Sequence, residues 1–411
     1  MHEATLIPAS KVLKKVKRLA FLSTHPIQYQ SRWFQALAGH PKIDLCVFYC
    51  QQATPVDQAA AGFGVEFDWD VSLLDGYPHR FLRNLAHKPS IHTFGGMDTP
   101  EIKEIINEKS FDAVIINGWN YKSAWQAMRT CWRTKTPVMV RSDSHLRTDR
   151  SVARRAAKDP FYRWFIPRLN ACLPVGTLSR EYFLHYGARA ERLFIVPHTL
   201  DDARFTKESA RWLPQRDELR AEWKIDREAV MFLFAGKFIE KKRPLDFIKA
   251  VDHAAQNGAR VWGVMAGDGP LRAECENFAR SRNIPVTFLG FLNQSEIARA
   301  YVAADALVLP SDNRETWGLV VNEAMVCGRA CLVSDAVGCA PDLIVSGETG
   351  ESFPMGDYES LGRLMIRYSQ APGDLREMGA NAKRQMAGYS VEAAVEAVVR
   401  AIDSVSNGKR L

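Results

Sequence analysis

Near residue 305 the chain changes period, and that change narrows the folds open to it. Residues 305–310 (DALVLP) form the unbroken apolar run that a parallel strand buried on both faces needs, and residues from about 318 to 327 have helical spacing. The loop between them, from Ser311 to Trp317, therefore stands at the carboxyl end of a strand, where open α/β sheets bind ligands. Glu315 falls in this loop and Glu323 between one and two helical turns further on, so both carboxylates can face a ligand lying across the helix start. The amides of Gly318 and Leu319 head the helix. With the positive end of the helix dipole they favour an anion such as a diphosphate, and Gly318 has no side chain to hold it away. An isolated pair at this spacing would more simply be a loop glutamate followed by a surface-helix glutamate.

The same alternation runs along the chain. Strands are expected at residues 18–24, 43–49, 111–117, 137–141, 171–175 and 193–196, and, after a polar stretch through Arg220, at 229–235, 260–266 and 286–289. With 411 residues, 46% of them hydrophobic, the chain is long enough for two cored domains. Short loops after several strands carry polar residues to one edge: His25-Pro-Ile-Gln28-Tyr before a helix at about 31–38, and Ser142-Asp143-Ser144-His145. In the second half these loops are Gly236-Lys237 with Lys242, Gly267-Asp268-Gly269-Pro270, and Gly290-Phe291. Residues 51–89 form a long irregular region whose aromatics argue for order, and acceptor binding is expected there.

Glu315-Thr-Trp-Gly-Leu-Val-Val-Asn-Glu323-Ala, continued by Gly328-Arg-Ala-Cys-Leu-Val-Ser-Asp335 and Gly338, resembles the signature of retaining GT-B glycosyltransferases of family 4. The resemblance implies an α/β GT-B fold, two Rossmann-like doubly wound parallel-sheet domains facing a central cleft. The acceptor-side domain would cover 1–200, joined by a C-terminal helix in 391–411, and the sugar-nucleotide domain 206–390. It implies transfer of a sugar from a nucleotide-diphosphate sugar, UDP- or GDP-linked, with retention of configuration and with no cofactor and no metal. Glu315 would lie beside the donor sugar and Glu323 on the ribose hydroxyls. Lys237 and Lys242 match the positions directed at the diphosphate, Gly236, Gly267, Asp268 and Gly269 match turns facing the nucleotide, and Phe291 borders the base. His145 is the best match to a histidine facing the sugar, although Asp-Ser-His stands where the family has His-Asp; on pattern alone it is as readily structural. The family's glycine-rich first turn is replaced by His25-Pro-Ile-Gln-Tyr, so His25, Gln28 and Asp143 are assigned only to the acceptor side. That replacement is the one feature favouring an inactive nucleotide-sugar-binding scaffold. An epimerase fits the Glu315 to Glu323 string poorly, and a phosphorylase lacks its pyridoxal-phosphate lysine environment.

The charge is local. Lys11, Lys14, Lys15, Lys17 and Arg18 stand against Glu3 in residues 1–18, and residues 141–170 hold eight basic and three acidic side chains, within a formal net charge of +7. Such patches suit nucleotide phosphates or peripheral contact with an anionic membrane better than nucleic acid, for which no motif is present. Arg150, Arg154, Arg155, Lys158, Arg163 and Arg168 are interleaved with Phe161, Tyr162, Trp164 and Phe165. Pro160 and Pro167 are expected to interrupt any long helical face there, which favours a solvated segment packed on its own domain. The partners expected are a sugar-nucleotide donor and a glycan or lipid-linked acceptor. No apolar run spans a membrane and no signal core is evident, so a cytoplasmic location is expected. Eight cysteines without metal or redox spacing should be reduced.

Overall fold

The computed structural model describes residues 16–52, 54–148 and 152–407. Lys11, Lys14, Lys15 and Arg150 lie outside the described residues, as do the side chains of Arg154 and Arg155. Two parallel six-stranded sheets form the frame. The first holds β1 (Lys17–Ser23), β2 (Ile43–Tyr49), β3 (His79–Phe81), β4 (Ala113–Asn117), β5 (Val138–Ser142) and β6 (Ala171–Pro174) in the order β3-β2-β1-β4-β5-β6. The second holds β7 (Val230–Ala235), β8 (Val261–Ala266), β9 (Val286–Gly290), β10 (Ala306–Leu309), β11 (Ala330–Ser334) and β12 (Gly350–Phe353), in the order β12-β11-β10-β7-β8-β9. Read from β9, the second order repeats the first. Each sheet thus reverses direction between its first and fourth strands, and that switch point opens a crevice at the carboxyl ends.

Alternation along the central strands explains why both sheet faces are covered. In β1, Leu19 and Phe21 enter one core and Ala20 and Leu22 another, all essentially inaccessible. In β10, Ala306 and Val308 face one side while Leu307 and Leu309 face the other. The last helix, Val391–Asn407, carries Val391, Ala394, Val395, Val398 and Ile402 on one stripe. That stripe packs with Leu19, Phe21 and Trp33, so this helix covers the first sheet.

Four local expectations need correction. The helix after β1 starts at Gln28 instead of residue 31, because Gln30 and Ser31 are buried and Gln30 accepts a bond from Ser23 at 3.2 Å, which turns apparent loop polarity into a helix face. Residues 193–196 form no strand of their own. They follow the edge of β6 through bonds from Phe194 and Val196, and Pro197 has no N–H to continue the ladder. The region 51–89 contains the edge strand β3. The basic, aromatic stretch forms one helix, Val152–Phe165, that runs through Pro160. It buries Tyr162 and Phe165 and leaves Phe161 and Trp164 44% and 46% exposed.

Phe21 lies edge-on to Trp33 and Phe34, with ring centroids 5.4 and 4.8 Å away. Truncation to alanine should cost about 3–5 kcal/mol, read as a lowered midpoint of thermal unfolding.

Candidate functional site

Loops at the carboxyl edge of the second sheet interlock. After β7 the chain turns at Gly236 and passes Lys237 to a short turn at Glu240–Lys242; after β8 it turns at Gly267 and Gly269. The Phe238 amide donates to the Asp268 carbonyl at 2.8 Å and the Gly267 amide to the Gly290 carbonyl at 2.7 Å. A Cβ on Gly267, whose φ is +140°, would lie 1.9 Å from the Gly236 oxygen, so only glycine lets the two loops cross. The loop after β10 joins them: the Asp312 amide donates to the Lys241 carbonyl, and the Gly338 amide after β11 donates to the Glu315 carbonyl.

At this crossing Glu315, 8% exposed, meets Lys242, 9% exposed, with Oε2 2.5 Å from Nζ; Lys241 approaches Oε1 at 3.6 Å. Burial works against the Glu315 charge, but the two lysines outweigh it and hold the carboxyl below its ordinary range. The Lys237 ammonium lies 4.0 Å over the Phe63 ring. Burial, with Lys241 and Lys242 nearby, pushes it down to about 8. Helix Leu319–Val326 begins at Gly318, whose φ is +98°. The reason for the glycine differs from the expected one: a Cβ there would meet Leu309 at 2.8 Å and Val337 at 3.2 Å, so the missing side chain makes room for the core.

Glu323 lies one turn inside that helix, 2% exposed, and accepts from the Tyr301 hydroxyl at 2.5 Å and from the Tyr29 hydroxyl at 3.0 Å. Burial raises its carboxyl above the ordinary range, against the two phenol bonds. Tyr301 belongs to the same domain, whereas Tyr29 comes from the first turn of helix Gln28–Ala38 across the cleft. Glu323, Tyr29, Gln28, Gly236, Lys237, Gly267, Asp268 and Phe291 line one cavity of about 100 Å³, which Phe63 and Trp69 of the first domain help close.

Other expected residues stand apart from that cavity or have partners of their own. Glu315, Lys242, Gly318 and Leu319 are not among the residues lining that cavity. Asp268 is engaged locally, accepting from the Gly269 amide and from Arg272. Asp143 accepts from the Thr316 hydroxyl at 2.6 Å, which makes it a contact between the domains beside Glu315. His25 shares a 3.0 Å contact with the Thr24 hydroxyl at the end of β1. His145 is buried beside a small cavity lined by Lys158, Tyr162, Tyr182 and Tyr186 of its own domain, apart from the cavity that holds Glu323. Within the region 51–89 expected to bind an acceptor, Gly64, Phe67, Asp68 and Asp70 pack on loops of the second domain. Tyr29, Tyr301, Thr316 and the aromatics Phe63 and Phe67 were not marked as site residues by their sequence. Tyr29 gave only the signal of standing in the His25 loop, and the two phenylalanines that of an aromatic-rich irregular stretch.

The model for glycosyl transferases group 1 matches residues 215–385, which include these second-domain loops. D-inositol 3-phosphate glycosyltransferase of Streptomyces bingchenggensis is 28% identical over 241 residues, 56% of this chain and 51% of that protein. The sulfoquinovosyl transferase SQD2 of Arabidopsis thaliana is 40% identical over 135 residues, 32% of this chain and 25% of that protein. The matched part of the chain spans about half the length of the curated relatives at the head of the comparison. Among solved structures, HepE of Anabaena in complex with UDP and glucose superposes with a TM-score of 0.67 at 15% identity, over 93% of this chain and 98% of that one. Sucrose-phosphate synthase of Thermosynechococcus elongatus superposes with a TM-score of 0.68 at 18% identity, again over 93% and 98%. The chain thus has the two-domain GT-B fold, and its residues 215–385 match the model for glycosyl transferases group 1.

Proposed function

We propose that this protein moves a sugar from a nucleotide-diphosphate sugar to an acceptor hydroxyl, with retention of anomeric configuration and without a metal. The observation that carries the reading is the buried pair of Glu315 with Lys242, flanked by Lys241 and Lys237, at the carboxyl edge of β7 and β10. Three cations against one carboxylate leave the edge positive, as a departing diphosphate requires. In the proposed reaction the bond from the anomeric carbon to the diphosphate breaks with its electrons leaving on oxygen. The acceptor oxygen bonds to the same face, and its proton leaves with the diphosphate. Glu315 orients the sugar and supports positive charge at the anomeric carbon. Glu323 takes the ribose hydroxyls, and structures of the same fold in complex with UDP support UDP as the first nucleotide to try.

A glycan or lipid-linked acceptor at the cytoplasmic face of a membrane is part of the proposal. Among the described residues no helix is long and apolar enough to cross a membrane. A groove of about 650 Å³ on the first domain is lined by Lys103, Lys122, Arg129 and Arg133 with Phe94 and Phe161. Cations beside exposed rings suit peripheral contact with anionic lipid.

Nucleotide release from UDP- or GDP-sugars should persist in EDTA, and Lys242→Ala should lower turnover about 10²–10³-fold while nucleoside binding changes little. Activity of Lys242→Ala equal to that of the wild type would remove the leaving-group role. Affinity for the nucleoside diphosphate, measured by calorimetry, should fall as pH rises through about 8, because the anion binds the charged Lys237. Lys237→Met should flatten that limb. Anionic vesicles should retain the wild type at low salt and release a protein carrying Arg129→Glu and Arg133→Glu.

A further inference from the structure

Four second-domain groups assigned above to the nucleotide, Glu323, Lys237, Gly269 and Phe291, have a first-domain group against them. Tyr29 donates to Glu323. Phe63 lies under the Lys237 ammonium, and Phe67 lies on Phe291 with ring centroids 4.2 Å apart and planes 37° apart. Gly64 approaches the backbone of Gly269 so closely that a Cβ on it would be 3.0 Å from both its Cα and its amide nitrogen.

The segment is anchored by polar bonds as well as by packing. Asn293 donates to the Asp68 carbonyl at 2.8 Å, and the Ser295 amide donates to the Asp70 carboxylate at 3.0 Å, with the Ser295 hydroxyl donating to the same oxygen. Trp69 completes an aromatic cluster with Phe63 and Phe67. About 100 Å³ remains open beside Glu323. That holds roughly three waters, whereas ligand pockets run from about 300 Å³ upward.

We propose that residues 63–70 and Tyr29 act as an internal competitor for the nucleoside diphosphate: the conformation in which they fill the donor site and the one that accepts nucleotide exclude each other. The proposal rests on the sugar-nucleotide reading of the second domain. The strap is a ligand tethered to its own site. Its aromatic rings stand on the base-side phenylalanine, one of them lies against a phosphate-side lysine, and a phenol takes the place of a ribose hydroxyl on Glu323. Apparent affinity then equals intrinsic affinity scaled by the fraction of molecules in which the strap is released. Closure would couple to the donor, because the strap belongs to the domain that also carries Asp143 to Thr316.

The test weakens the strap on its own side, where no donor group is altered. Asp70 is exposed, so Asp70→Ala removes the anchor without opening a core, and Phe67→Ala removes the stack on Phe291. UDP and GDP binding would be measured by calorimetry on the full chain, with hydrogen exchange followed in peptides covering 62–72. Both variants should bind the preferred nucleotide about three- to tenfold more tightly than the wild type, and nucleotide should speed exchange of 62–72 in the wild type. Equal or weaker binding by the variants, with 62–72 staying protected when nucleotide binds, would make the segment part of the bound site and overturn the proposal alone. Binding to none of the three proteins would overturn the sugar-nucleotide reading and the strap with it.

Discussion

The ion pair between Glu315 and Lys242 is the constraint on which the second domain's working edge depends. Two charges about nine-tenths buried are expensive to desolvate, and their attraction offsets that cost only where geometry is fixed. Here the fixing is done by backbone: the Lys241 carbonyl accepts from Asp312, and the Glu315 carbonyl accepts from Gly338. The pair therefore ties the loops after β7, β10 and β11 into one surface. Because Lys241 and Lys237 stand nearby, a single carboxylate leaves that surface cationic, and Lys237 is lowered by burial first and by repulsion from Lys241 and Lys242 second. A diphosphate beside these lysines would offset the repulsive part of that lowering, and this part would then add to the affinity.

The two sheets repeat one strand order and meet through their carboxyl edges, which is why contacts between the domains gather around the same loops. Asp143 at the end of β5 takes the Thr316 hydroxyl. Thr177, after β6, donates through amide and hydroxyl to Asp342, and Arg147 donates to the Asp335 carbonyl. Gly176 leaves room for Trp317, whose indole donates to Asn322 inside the helix that carries Glu323. Shifts at the first domain's edge thus reach both glutamates through one or two contacts.

What the sequence disclosed follows from how local each signal is. The strand, loop and helix around Glu315 could be read because burial on both faces of β10 demands an apolar run and the helix demands its own period. The crossing glycines at 236, 267 and 269 could be read as turns, although the fact that they lock each other required coordinates. Gly318 was read in the right place for a different reason, since the space it leaves is filled by Leu309 and Val337. Tyr29 was not legible as a site residue, because its partner is 294 residues further on and no local period encodes such a pairing. The aromatics of 62–70 announced order, but Phe67 and Phe291 are joined only by the fold. His145 is the opposite case: a plausible position after a strand, buried in the structure beside a small cavity of its own domain.

Glu323 shows how the nucleotide-accepting conformation can be reached at small net cost. A buried carboxylate with no donors would be severely penalised, and the two phenols offset part of that cost. The donors are not equivalent. Tyr301 is fully buried on a helix of the same domain, while Tyr29 reaches over from the first. If a ribose hydroxyl replaces Tyr29, the bond count at Glu323 is unchanged, and that step alone adds little affinity. Binding strength would then come from the diphosphate on Lys237 and Lys242 and from the base on Phe291, where the strap offers only one ring at the Lys237 ammonium and one on the Phe291 ring. In the proposed competition the nucleotide would prevail through its charge, since the strap meets Lys237 and Phe291 with uncharged rings.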